Sequence, residues 1–278
     1  MKKIVVLLCA ALLVCVLTSC GSTPNAAGAA PEPENTDQSP STDQTSAYTV
    51  KTGAYYSDQW GLYIANIVEQ EGQAPIVIMD RVQNGQSSKE RYDSYGIKPV
   101  SSIGKEWWEQ IAFLEGWIAE NGIEALEVDD TGHALNADVI TSATINVAEP
   151  TSAVHNAMEG KNSDGGYTLK TGTYYDEQWG LYIANVIEEG GATAAVLLDR
   201  VQNGESHKEK YDTYGIKRVS TIDKDWWEQV AYYEKWVLEN GVDAVEYDEE
   251  GHATNPDLIT GATVGVDQFT MAVLDALK

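Results

Sequence analysis

Residues 48–66 read YTVKTGAYYSDQWGLYIAN, and residues 167–185 read YTLKTGTYYDEQWGLYIAN. The offset of 119 holds along the chain without an insertion. DRVQNG at Asp80 returns at Asp199, and YDSYGIK at Tyr92 returns as YDTYGIK at Tyr211. EWWEQIAFLEGW at Glu106 returns as DWWEQVAYYEKW at Asp225. About 60 per cent of the positions from Tyr48 to Thr144 are identical in the second copy. Two copies are too few for a solenoid, and each is long enough to own a core. We therefore read two homologous domains, 48–158 and 167–278, joined by a polar, Gly-containing linker over 159–166.

Both copies share one plan. Residues 60–68 read as a strand from their β-branched and aromatic content, 69–74 as a turn and 75–82 as a second strand. From Lys105 to Asn121 the apolar residues Trp107, Trp108, Ile111, Leu114 and Ile118 have helical spacing, and Asn121-Gly122 ends the helix. A short strand over 125–128, a Gly132-His133 turn and a Thr-rich turn follow. Beyond Thr263, Val266, Phe269, Val273 and Leu277 mark an amphipathic terminal helix. The predicted class is α+β, with a threonine at or just before a helix start in each copy.

The first residues read as a targeting segment. Met1-Lys2-Lys3 is a positive n-region, and residues 4–17 are almost wholly apolar but too short for a comfortable membrane span. Leu17-Thr18-Ser19-Cys20-Gly21 resembles the lipobox of bacterial lipoproteins, in which cleavage precedes a cysteine that takes a diacylglyceryl group. On this reading 1–19 is the signal, Cys20 is the lipidation site, and 20–47 is a lipid-anchored tether on the extracytoplasmic face of the cell membrane. Residues 21–47 contain no large apolar side chain and are rich in Pro, Ser, Thr and acids, so they cannot build a core. A flexible chain of that length averages roughly 30 Å end to end. The three cysteines are Cys9, Cys15 and Cys20, so the mature body is expected to hold neither a disulfide nor a Cys metal site.

The formal charge is −25, and −27 once Lys2 and Lys3 are removed. That sign argues against nucleic acid, whose phosphates need Lys and Arg to displace counterions. It also argues against a body lying on anionic lipid. Solubility is the plain reading of the acidity.

The same turn closes both copies. Asp138-Val139-Ile140-Thr141-Ser142-Ala143-Thr144 corresponds to Asp257-Leu258-Ile259-Thr260-Gly261-Ala262-Thr263. One such turn alone reads as a helix cap. Two in register, behind a lipoprotein-like signal, read differently. The motif resembles Asp-x-x-(Ser/Thr)-Gly-Ala-Thr of the FMN-binding domains found in the flavin-bearing subunits of the sodium-pumping NADH:quinone reductase and the Rnf complex. Residues 257–263 match it at every defined position, and residues 138–144 match except at Ser142. Two such modules behind a lipobox and tether look like the surface flavolipoproteins of bacterial extracellular electron transfer.

The resemblance implies covalent FMN on two threonines, Thr144 and Thr263, each esterified by a separate magnesium-dependent flavin transferase with FAD as donor. The chain would then be an electron carrier and a substrate of that transferase, and no enzyme itself. Its partners would be a membrane electron donor and an extracellular acceptor or reductase. Asp138 and Asp257 would orient the loop or be read by the transferase. Thr141, Thr260, Ser142, Gly261, Ala143 and Ala262 complete the site, the small residues leaving room for the transferase and the nucleotide. The helix beyond would offer N–H groups and a positive dipole end to the phosphate.

Other residues are open to two readings. Trp60 and Trp179 either pack a hairpin or stack on the isoalloxazine. Arg81 and Arg200 form structural ion pairs or face reduced flavin. Trp107, Trp108, Trp117 and their copies are read as core. His133 and His252 have no partner His, Cys or clustered acid at ligand spacing, so no metal is expected. Two rivals to the carrier reading stand: a cofactor-free surface binding or adhesion lipoprotein, and the flavin-carrying component of a multi-chain reductase.

Overall fold

In the computed structural model each repeat begins with an antiparallel meander. Residues 48–278 are described, and the signal, Cys20 and tether expectations lie outside them. The first sheet has β1 (Tyr48–Ser57), β2 (Gly61–Gln70), β3 (Ile76–Gln83) and the short β4 (Gln86–Ser87), in that order. The helices α1 (Trp107–Asn121), α2 (Ala137–Ile140) and α3 (Ala148–Met158) follow. The second repeat places β5 (Ser163–Asp164), β6 (Tyr167–Asp176), β7 (Gly180–Glu189), β8 (Ala192–Gln202) and β9 (Glu205–Ser206) in a five-stranded sheet. It closes with α4 (Trp226–Asn240) and α5 (Asp267–Ala276). The α+β class holds.

Three elements differ from the sequence reading. The strand β1, which precedes the expected one, pairs along its whole length with β2. The expected strand at 125–128 is instead a 3-10 turn over Ile123–Ala125, with Val128 bridging Ala134 alone. The cause is local: the Glu127 N–H goes to the side chain of Asn136 at 2.8 Å, so no ladder propagates. The helix after each motif threonine begins at Ala148 or Asp267, so a short non-helical passage, 145–147 or 264–266, separates the threonine from it.

The central strands carry apolar residues on both faces, and the packing explains why. Tyr63, Ala65 and Ile67 face α1 and α3, meeting Ile111, Leu114, Ala153 and Val154. On the other face Leu62 and Ile64 meet Leu169, Ile187 and Leu197 of the second repeat, while Val68 and Ile78 join Leu181, Ile183 and Val201. The layers run helix, sheet, sheet, helix, and residues 48–278 lie within one compact unit. Full burial of each such Leu or Ile stabilises the fold by about 1.5–3 kcal/mol. The linker is ordered by this packing: β5 pairs with β6, and Ala54 donates to the Lys161 carbonyl at 3.2 Å.

The contact between repeats is pseudo-symmetric. Tyr92 stacks on its own counterpart Tyr211, with ring centroids 4.6 Å apart. Tyr56 meets Tyr167 and Tyr48 meets Tyr175, both at 5.5 Å. Lys89 pairs with Glu115 at 2.6 Å and with Glu209 across the interface, while Lys208 pairs with Glu234 at 2.6 Å and with Glu90 across it. A residue contacting its partner's equivalent, and the reverse, is the signature of an isologous interface, here within one chain. Trp108 and Trp227, read from sequence as helix core, pack instead against the Tyr92–Tyr211 stack.

Candidate functional site

Each motif turn lies against the first turns of the long helix of its own repeat. A capping box starts both helices, with Glu106 and Glu109 on α1 and Asp225 and Glu228 on α4. One turn in, the buried stripe of each helix holds a glutamine, Gln110 or Gln229, with no solvent exposure. The amide of Gln229 donates to the Lys224 carbonyl at 3.1 Å and to Ser220 Oγ at 3.3 Å. Its oxygen therefore points the other way, where it accepts the backbone N–H of Thr263 at 2.7 Å and the hydroxyl at 3.0 Å. In the first repeat Gln110 accepts the N–H of Thr144 at 2.8 Å, its hydroxyl at 3.4 Å and the Ile145 N–H at 3.2 Å. Both threonines are partly exposed. The sequence reading passed over the glutamines, although a polar residue inside an apolar helical stripe was the available signal.

Asp138 and Asp257 are tied to the long helices. Each accepts an indole N–H, from Trp117 at 2.6 Å and from Trp236 at 2.8 Å. These bonds to the ionised form hold both carboxyls below the usual range. The acids fasten the turn to the helix. Thr141 and Thr260 bond back to the carbonyls of Asp138 and Asp257 at 2.8 and 2.6 Å, closing the turn.

The small residues do not stand open. Ala143 and Ala262 are buried core residues. Gly261 is buried too, and the ring of Tyr232 occupies the place where its β-carbon would sit. Its φ of −125° needs no glycine, so close approach by Tyr232 is the constraint. The first repeat has Phe113 and Ser142 at these two positions. Room for a transferase is thus not what Gly261 and Ala262 supply.

Beside Thr263 opens a cleft of about 310 Å³, lined by Val264 and Gly265, the two residues that follow it, and by Trp179, Arg200, Tyr214, Trp226 and His252. Arg200 forms its floor and is 5 % exposed. Its guanidinium lies 5.1 Å from the Trp226 ring centroid and 5.5 Å from that of Trp179. It donates to Tyr214 Oη at 2.9 Å and to His207 Nδ1, and its Nε has no hydrogen-bond partner among the described residues. Arg81 has the same aromatic surround of Trp60, Tyr63, Tyr95 and Trp107, but its Nε donates to Ser88 at 3.1 Å. The expected ion pairs at Arg81 and Arg200 are replaced by these aromatic boxes. Trp60 and Trp179 are 38 % and 41 % exposed, so they edge the boxes and do not sit in a core. Burial and the neighbouring Arg200 push His207 down to about 3, leaving it neutral near pH 7.

The expectation of no acid near the turn histidines needs correction in the second repeat. Asp248, Glu250 and His252 place ligand atoms within 4.8 Å of one another, all exposed. Alternate side chains of one exposed turn bring them together, and Thr131 replaces the glutamate in the first repeat. No family model, curated protein or solved structure matches the chain.

Proposed function

We propose that the chain carries FMN as a phosphoester on Thr263 and on Thr144, and that it serves as a lipid-anchored extracytoplasmic electron carrier. What carries the proposal is one repeated arrangement, a motif threonine whose hydroxyl is held by a buried glutamine, joined in the second repeat by an Arg-centred aromatic cleft that begins at the residue after the threonine. The residues fit the group. A cleft near 300 Å³ with five Trp, Tyr and Phe side chains among its walls suits a planar ring system. The unpartnered Nε of Arg200 suits an electron-rich edge.

In the attachment step the Thr263 oxygen would attack the flavin-side phosphorus of FAD. The new O–P bond replaces the pyrophosphate bond, AMP leaves, and the hydroxyl proton passes to a base of the transferase. Gln229 fixes the threonine backbone and accepts from the hydroxyl, so the oxygen presents its lone pairs outward. FMN, once bound, supplies reversible uptake of electrons and protons. The chain's own residues attach it, orient it and shield one face. Trp179 and Trp226 flank the cleft, and Arg200 offers a fixed positive charge where negative charge grows on reduction. The two repeats share a core, so both centres move as one body on the tether.

Co-expression with a magnesium-dependent flavin transferase, followed by intact mass and absorbance, tests this. Two FMN increments are expected, one lost in Thr263→Ala and the other in Thr144→Ala. A colourless protein of unchanged mass would overturn the proposal and favour the cofactor-free binding lipoprotein.

A further inference from the structure

Beyond the threonine, the phosphodiester keeps one negative charge in an acidic chain, so a cation beside it would offset the repulsion. The helices that follow the motif turns are poor candidates. Their first turns carry Glu149 and Asp267, and burial raises the carboxyl of Asp267. Acids at that place offset the positive end of the helix dipole.

The start of the glutamine-bearing helix is different. We propose that Lys105 and Lys224 are the cationic partners of the phosphodiesters at Thr144 and Thr263, a step that rests on the covalent-FMN proposal above. Each lysine directly precedes the capping residue of the helix that holds the glutamine. The backbone carbonyls of Lys105 and Lys224 accept the glutamine amides, both at 3.1 Å, and the same glutamines hold the threonines. The lysine and the threonine are therefore joined through one side chain. The ammonium of Lys224 lies 4.7 Å from the centroid of Tyr232, the ring that packs on Gly261. Tyr232 also bonds the Asp257 carbonyl at 3.1 Å. Lys224 is thus drawn over the motif turn. Lys105 sits in the same way above Phe113, at 5.8 Å.

The charge distribution singles out this pair among the lysines. Acids outnumber Lys and Arg by 43 to 18. Among the described residues, nine lysines have a carboxylate within 4.0 Å, while Lys98, Lys105 and Lys224 do not. The counterpart of Lys98 is Lys217, which pairs with Glu228, so among the described lysines only Lys105 and Lys224 stay unpaired in both repeats, while Arg81 and Arg200 are buried inside their aromatic boxes. A lysine held on an aromatic face, its backbone tied to the glutamine that binds the threonine, is a compact charge of the right sign for phosphate. It would attract the donor nucleotide before transfer and neutralise the ester after it.

Phosphorus NMR of the full chain, loaded by co-expression with a flavin transferase, tests the assignment. Thr144→Ala and Thr263→Ala assign the two phosphodiester resonances. Lys224→Gln is expected to shift the Thr263 resonance alone, and Lys105→Gln the Thr144 resonance alone. Lys224→Arg should stay close to the wild type. Incorporation into unloaded Lys224→Gln should slow several-fold at low salt, with the difference shrinking at high salt as screening grows. Resonances that stay in place, or that both move with either substitution, overturn the lysine assignment while the covalent FMN stands. A wild-type chain that takes up no FMN mass removes both.

Discussion

The ring of Tyr232 fills the space that a side chain on Gly261 would need. The two motif copies are therefore not interchangeable at this position. Ser142 is matched to Phe113, and Gly261 is matched to Tyr232, whose hydroxyl also bonds the Asp257 carbonyl. Gly261→Ser must displace the ring, and overpacking of this kind costs about 1–3 kcal/mol. Ser142→Gly removes a side chain that already fits, so its effect should stay well below that. Urea denaturation of the unmodified chain checks the asymmetry. Equal losses from the two substitutions would show that the Tyr232 contact is soft.

The interface between repeats should make unfolding a single event. Leu62 and Ile64 share a core with Leu169 and Ile187, and Lys208 lies between Glu234 of its own repeat and Glu90 of the other. One calorimetric transition is expected, where independent modules would give two. Lys208→Met leaves two buried carboxylates facing each other and should cost about 3–5 kcal/mol. Lys208→Met combined with Glu90→Gln and Glu234→Gln removes the stranded charges and should recover part of that loss.

How far the sequence spoke depended on whether the determinant was local. The α1 and α4 helices follow from Trp107, Ile111, Leu114 and Ile118 and from the Gly122 stop, all within a few turns. The motif turns were legible for the same reason. The sheet-on-sheet contact was not read, because it depends on residues about one repeat apart in sequence meeting in space. Its trace was present, since Leu62-Tyr63-Ile64-Ala65 offers no polar face to solvent. Gln110 and Gln229 were missed because their role lies in what their oxygens reach across the fold. The strand expected at 125–128 failed because the Asn136 side chain takes the N–H that a ladder would use.

His207 gives the second repeat an acid sensitivity that the first lacks, since Ser88 stands at the matching position. Its folded-state value is lowered to about 3, against an ordinary value near 6.5. Between these values the unfolded chain binds the proton and the folded chain does not. The stabilising contribution is thus complete above about pH 6.5 and is lost as the pH falls toward 3. His207→Ser should flatten the stability profile in that window, and Ser88→Ala should leave its slope unchanged. Denaturant midpoints at closely spaced pH steps provide the measurement, and identical slopes for wild type and His207→Ser would contradict it.

Gln229 is expected to govern both the order of the motif turn and its chemistry. Its oxygen is the acceptor for a partly buried N–H and for the hydroxyl of Thr263, at 2.7 and 3.0 Å. Gln229→Met keeps the length of the side chain but strands the N–H, a loss of about 1–3 kcal/mol. Gln229→Glu keeps an acceptor but loses the amide donor that reaches the Lys224 carbonyl and Ser220, and brings a charge to a fully buried place. Both variants should slow flavin transfer to Thr263 and leave Thr144 at its wild-type rate, because Gln110 serves that repeat separately. The longer contact at Thr144, 3.4 Å against 3.0 Å, predicts that Thr144 is the slower site in the wild type. A time course of intact mass with limiting transferase, with peptide mapping to separate the sites, reads all of these rates. Unchanged transfer to Thr263 in Gln229→Met, in a chain that still melts cooperatively, would show that the glutamine fastens the turn without preparing the hydroxyl.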